Sequence, residues 1–275
     1  MPDSLFSVRD QVVLVSGGTR GIGRAIATGF AHRGARVIVT GRSPDGVATG
    51  VQAINAAVRA SLGDLTADVA GRVCDVTTAA AVADVVTEIH REHGRIDALV
   101  NVAGVNIRQP ALDFDEQQYD YVVDTNLKGA FLMAQAVGRK MIDQGAGSIV
   151  NIDSLNSAGP LKNVAPYAMS KCGLSGMTRA LAIEWGPSGV RVNGLAPGFI
   201  LTDLTQRLWS DETMLAWGET NTPLGRLGRP DDLVGTAIFL ASPAAAFLTG
   251  QTIYVDGGFL AGRIWPIPGD GGQGR

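Results

Sequence analysis

Tyr167 and Lys171 stand four residues apart in a segment of helical apolar period, so they share one face and the ammonium can approach the phenol. An unperturbed phenol is a poor base at neutral pH, and a neighbouring positive charge favours its ionised form. Such a pair can take the proton of an alcohol as hydride leaves carbon, or return it to a carbonyl oxygen. Tyr-x-x-x-Lys alone is common by chance. Its weight comes from Ser154, thirteen residues earlier and just past the apolar run Ser-Ile-Val-Asn-Ile, where a hydroxyl can orient the substrate oxygen.

The elements that must position these groups follow from hydrophobic period. Short runs rich in β-branched residues predict strands over Val12–Ser16, Val37–Thr40, Gly71–Cys74, Ala98–Val102, Ser148–Ile152, Val190–Leu195 and Thr252–Val255. Helical patterns lie between them at about 22–33, 47–60, 78–93, 115–143, 165–186 and 230–241. Strand and helix alternate, as expected when crossover helices cover both faces of a parallel sheet. Ser154 then falls at the carboxyl edge, where open α/β sheets bind ligands. With no Pro/Gly/Ser linker and no repeat, residues 1–260 read as one catalytic domain. Residues 261–275 read as a tail, either disordered or packed as an arm through Trp265 and Ile267.

After the first strand comes Ser-Gly-Gly-Thr-Arg-Gly-Ile-Gly. Gly17, Gly21 and Gly23 fall where backbone must bend sharply and approach a ligand, with Thr19, Arg20 and Ile22 between them. The helix that follows offers N–H groups and the positive end of its dipole to a pyrophosphate. The expected architecture is therefore a Rossmann-type, doubly wound, seven-stranded parallel sheet. The second strand ends in Val-Thr-Gly-Arg-Ser, without the carboxylate that usually meets the ribose 2′-hydroxyl of NAD. Arg42 and Arg20 can clamp a 2′-phosphate instead, so NADP is expected over NAD; the alternative is that both are solvated loop charges.

The ordered pieces SGGTRGIG, CDVT, NVAG, DTNLKG, IDS, YAMSK, APGFILT and VDGG resemble the short-chain dehydrogenase/reductase family, from about Ser7 to Gly262. The resemblance implies Tyr167 as acid/base, Lys171 supporting it and binding the nicotinamide ribose, Ser154 holding the substrate oxygen, and Asn126 serving a proton relay through water. It further implies Asp75 and Val76 framing the adenine, and Asn101, Ala103 and Gly104 on the adenosine side. Pro197, Gly198, Ile200 and Thr202 would meet the nicotinamide amide and pyrophosphate, with residues about 202–222 forming a substrate lid. A homotetramer is implied as well. Two positions depart from the family pattern: Val102, where asparagine is common, and Asp153, where serine or alanine is. Within the family, VNIRQPALDF, IEWGPSGVRVN and TDLTQRL are most similar to gluconate 5-dehydrogenase and 2-deoxygluconate 3-dehydrogenase members. On that basis Arg108 can pair with a sugar-acid carboxylate, and Asn156 and Asn163 with polyol hydroxyls.

Composition bounds the rest. The 275 residues are 45% hydrophobic and 18% charged with net charge −3, which speaks against a nucleic-acid partner. No apolar run is long enough to span a bilayer and the N-terminus lacks a signal-peptide pattern, so a cytoplasmic location is expected. Cys74, Cys172, His32, His90 and His93 have no metal-ligand spacing, and no metal is expected. Two rival functions use the same residues: a 3-oxoacyl or broad ketone reductase, and a non-catalytic NADP-binding sensor.

Overall fold

Short apolar runs that are hydrophobic on both faces are satisfied as interior strands, because β-branched side chains pack well on a pleated surface covered from both sides. The computed structural model, which describes residues 4–62 and 69–263, places them so. Val12–Ser16 (β1) and Ala98–Asn101 (β4) are wholly buried, and Gly147–Ile152 (β5) is buried beyond its first residue. Arg36–Gly41 (β2), Val69–Val73 (β3), Val190–Pro197 (β6) and Thr252–Val255 (β7) complete the sheet. Among the described residues it has seven strands in the order β3-β2-β1-β4-β5-β6-β7, every pairing parallel. The order reverses between β1 and β4, the topological switch point at which such sheets open a ligand crevice.

Helices Gly21–Ala31 (α1) and Pro44–Leu62 (α2) cover one face, where Ile26, Phe30 and Ile54 pack against Val13, Val15 and Val37. Ala79–His93 (α3) covers the other, its Val82, Val86 and Ile89 meeting Leu14, Ile38 and Leu99. The doubly wound arrangement expected from the alternation is what the chain forms.

Element boundaries differ from the expected ones in instructive places. The third strand is shifted to Val69–Val73; Cys74 lies beyond it, its N–H bonded to the Gly41 carbonyl at 2.9 Å. β4 stops at Asn101 because Val102 and Ala103 both donate to the Ser16 carbonyl, at 2.9 and 3.0 Å, folding the chain across the end of β1. The expected helix over 115–143 is two helices, Glu116–Val123 (α4) and Gly129–Gln144 (α5), joined by a π turn at Asp124–Lys128. Such a turn accommodates one extra residue without leaving the helix, which a 3.6-residue period does not register. Residues Ala165–Trp185 form α6. The stretch expected to form a lid contains Gln206–Trp209 (α7) and Glu212–Asn221 (α8), the latter capped by the Asp211 carboxylate on the Met214 N–H at 2.9 Å. Pro230–Leu233 is a 3₁₀ turn leading into Val234–Ala241 (α9), which completes the α1 face. Trp265 and Ile267 of the tail lie outside the described residues, and no described helix is long and apolar enough to cross a membrane.

Candidate active site

A groove of about 470 Å³ runs along the carboxyl edge of the sheet from the glycine loop to Thr202, Asp203 and Leu204. Its floor exists because two loop positions admit no side chain. Gly17 has φ +75°, and a Cβ there would sit 2.7 Å from the Ala103 nitrogen; a Cβ on Gly23 would strike the Gly17 carbonyl oxygen. α1 begins at Gly21 with no side-chain cap from Arg20, so its first-turn N–H groups are left for a ligand. A bare backbone cradle, a helix N-terminus and an adjoining cleft fit a dinucleotide.

Of the residues expected to hold that cofactor, Gly17, Thr19, Arg20, Gly21, Ile22, Gly23, Arg42, Val76, Ala103, Gly104 and Thr202 line this groove. Others are placed elsewhere. Gly198 and Ile200 open on a second cavity of about 210 Å³ shared with Phe199 and Asp256. Pro197 is buried at the end of β6. Asp75 accepts two hydrogen bonds from Thr77, at 3.0 and 2.8 Å. The Thr77 backbone N–H, then the Thr77 hydroxyl and the Arg42 charge, hold its carboxyl below the usual carboxylate range against the effect of burial. Asn101 turns into the sheet rather than the groove, donating to the Ala130 carbonyl (3.2 Å) and the Asn151 side chain (3.0 Å). Asn151 in turn donates to Thr178 of α6 at 2.9 Å. This buried polar chain fixes α6 against β4 and β5.

Several groove residues escaped the sequence reading. Thr40 is fully buried there, its hydroxyl without a partner among the described residues, and Tyr121 of α4, outside the lining, receives the Arg42 guanidinium 5.9 Å from its ring centroid and 3.4 Å from its hydroxyl. Thr40 was visible as the last polar residue of the second strand, whereas nothing local links Arg42 to a residue 79 positions away. Cys74 is a wall residue only: burial first, then the Asp75 charge, pushes its thiol up to about 11.

Of the expected chemical groups, Asn126 is hydrogen-bonded to Val105 of the groove, and Lys171 reaches the end of β5. Lys171, 5% exposed, donates to the Ile152 carbonyl at 2.6 Å and lies 5.7 Å from the Tyr167 ring centroid. Among the described residues no protein group hydrogen-bonds the Tyr167 hydroxyl. Ser154, on extended backbone after β5, caps a 3₁₀ turn over Leu155–Ser157, and its Oγ accepts from the Asn156 N–H at 3.1 Å and the Asn156 side-chain amide at 3.2 Å. Asn126, in the π turn, is 1% exposed and fully engaged. Its Oδ1 accepts from Val105 N–H (2.7 Å), and its Nδ2 donates to the Val105 carbonyl (2.9 Å) and to Ser170 of α6 (3.1 Å). Its side chain braces the loop after β4 against α6.

Asp153 points inward. It is 2% exposed, accepts the Ser154 N–H at 3.0 Å on one oxygen and has no hydrogen-bond partner on the other among the described residues. Burial pushes its carboxyl up to about 6, against the pull of Lys171 and of the Ser154 N–H.

Of the residues expected to meet substrate, Arg108 is exposed and unpaired among the described residues. Asn163, exposed at φ +66°, accepts the Gln109 N–H on its main-chain carbonyl at 2.9 Å. Asn156 is committed within the chain, with Oδ1 on the Leu161 N–H at 2.9 Å, so it is not the free polyol contact expected. Phe199 packs edge-on against Trp209, Trp217 and Phe259, at 5.3, 5.6 and 4.8 Å between centroids, anchoring α7 and α8.

Residues 17–260 match the family model described as enoyl-(acyl carrier protein) reductase. Gluconate 5-dehydrogenase of Gluconobacter oxydans is 40% identical, over 94% of this chain and 97% of its own. D-threitol dehydrogenase of Mycolicibacterium smegmatis is 39% identical, over 92% and 94%. The crystal structure of a gluconate 5-dehydrogenase from Burkholderia cenocepacia, in complex with NADP and tartrate, superimposes with a TM-score of 0.88 at 36% identity, covering 94% of this chain and 98% of that one. The chain belongs to the short-chain dehydrogenase/reductase family. It is an oxidoreductase acting on CH–OH groups.

Proposed function

We propose that the protein interconverts a secondary alcohol and a ketone on a sugar acid, keto sugar or polyol, using NADP(H). The observation that carries the chemistry is Lys171, held on the Ile152 carbonyl at the end of β5, two residues before Ser154, and 5.7 Å from the Tyr167 ring centroid. The cofactor supplies or accepts the hydride at carbon. In reduction, the Tyr167 hydroxyl gives its proton to the substrate oxygen while Ser154 donates a hydrogen bond to the same oxygen; oxidation reverses both. Lys171 spends one N–H on Ile152 and has two left for a ribose and for stabilising the phenolate. Backbone of the glycine loop and the α1 N-terminus would carry the pyrophosphate.

NADP is preferred over NAD because Arg20 and Arg42 stand at the groove with no carboxylate among Thr40–Ser43. The substrate class rests on the named relatives and on Arg108, an exposed guanidinium able to meet a carboxylate. Free thiols at Cys74 and Cys172 suit a reducing, cytoplasmic compartment. Assembly is read as a homotetramer.

The deciding measurement follows the near-ultraviolet absorbance of NADPH and of NADH against 5-ketogluconate, other keto sugars, an acetoacetyl thioester and simple diketones. Turnover of keto sugar acids, at least about tenfold faster with NADPH, is expected, since one charge-assisted contact contributes about 1.5–3 kcal/mol. Preference for the thioester would make the protein an acyl reductase, and NADPH binding without turnover would make it a sensor.

A further inference from the structure

Ser154 and Asn156 are each 6% exposed, and their hydrogen bonds have a determined polarity. The Leu161 main-chain N–H can only donate, so the Asn156 atom 2.9 Å from it must be the carbonyl oxygen. The other end of the same amide, 3.2 Å from Ser154 Oγ, is therefore NH₂. Together with the Asn156 main-chain N–H at 3.1 Å, two donors occupy the two lone pairs of that hydroxyl oxygen. The Ser154 proton has no acceptor among the described residues.

We propose that Asn156 is a positioning residue that sets the polarity of Ser154, filling its acceptor sites so that the serine can only donate, towards the oxygen of the reacting carbonyl or alcohol. This rests on the oxidoreductase reading above. A serine left free to accept would spend part of its time with its proton turned away from the substrate. A serine held as donor is ready for the charge that develops on oxygen during reduction, at no reorganisation cost. The chain thus uses an amide whose other end is pinned by a main-chain N–H to orient a hydroxyl rotor.

Asn156→Asp tests it, because the change preserves size and the bond to Leu161 while replacing a donor to Ser154 by an acceptor. The carboxylate takes the serine proton for itself; once protonated, its O–H donates to Oγ and restores the native polarity. Charged and titratable groups facing this site are Asp153 at the end of β5, and Tyr167, Lys171 and Cys172 on α6, with Tyr254 of β7 bonded to Ser157. All are present in the native protein, so the variant is read as a ratio to native at each pH. The expected result is kcat/KM down about 100-fold at neutral and alkaline pH. The ratio recovers as pH falls through the new carboxyl's titration, and NADPH affinity by fluorescence titration is unchanged. Asn156→Leu, which keeps only the main-chain donor and loses the Leu161 bond, should be less impaired than Asn156→Asp at alkaline pH and show no recovery.

A purely structural amide gives the reverse order, Leu worse than Asp with a pH-independent ratio, and that outcome overturns the proposal, as does a native-like Asn156→Asp. The ratio is measured on whichever carbonyl the native enzyme reduces. Keto sugar acids failing while another ketone succeeds rejects the substrate class and leaves this test intact. A native protein inert on every carbonyl removes both.

Discussion

Asp153 brings a carboxyl group to a place that water does not reach. Its folded-state value of about 6 lies above the ordinary 3.8, so the folded protein holds that proton more firmly than the unfolded chain does. Stability from this group therefore falls as pH rises from about 4 to about 6 and remains lower above that window. At about 1.4 kcal/mol per pH unit, the ionised group costs up to about 3 kcal/mol. Asp153→Asn keeps an acceptor for the Ser154 N–H and removes the charge. Denaturant unfolding should show the variant more stable than native by up to about 3 kcal/mol near pH 8, with the gap closing near pH 4; a pH-independent gap would assign the effect to packing. At this scale the approach of Lys171 to Tyr167, and the place of Ser154 just past β5, were legible from helical spacing and a strand end. Asn156 and Asn101 were not, because the partner of a side-chain amide depends on which distant backbone group it meets, here Leu161 and Ala130.

The strand-to-helix connections do the positioning, and their tightness can be tested by comparing two glycines with nearly equal φ. Gly17 (φ +75°) has Ala103 within 2.7 Å of a would-be Cβ, whereas Gly94 (φ +74°), which caps α3, has nothing within 4 Å. Gly94→Ala should cost about 1 kcal/mol from backbone conformation alone and leave NADPH affinity untouched. Gly17→Ala adds a steric push against the end of β4, and should cost about 2 kcal/mol or more while weakening NADPH at least tenfold by calorimetric titration. Equal effects at the two sites would mean that the contact with Ala103 is easily relieved. Strand and helix alternation was readable along the chain because burial on both faces forces continuous apolar runs. The π turn at Asp124–Lys128 was not: one added residue leaves the apolar period of the flanking helices nearly in phase, so two helices read as one.

Assembly belongs to the whole molecule. The outer stripe of α6 leaves Met169 and Ile183 54% and 77% exposed, and Phe131 of α5 is 39% exposed, an apolar set suited to a second copy. Light scattering during gel filtration should give four times the 28.6 kDa chain, and Ile183→Glu should lower the mass without changing NADPH affinity. A native monomer would dismiss the tetramer. The ring cluster around Phe199 bears on observation as well as on packing. Trp209 is 6% exposed and Trp217 is 41% exposed, on the short helices α7 and α8, while Trp185 packs against Gly138. Indole emission moves to the blue as water leaves it, so a seating of α8 over a substrate would register in the colour of Trp217, isolated by subtracting the spectrum of Trp217→Phe. The enzyme carries its own optical gauge, one that needs neither a dye nor a turnover event.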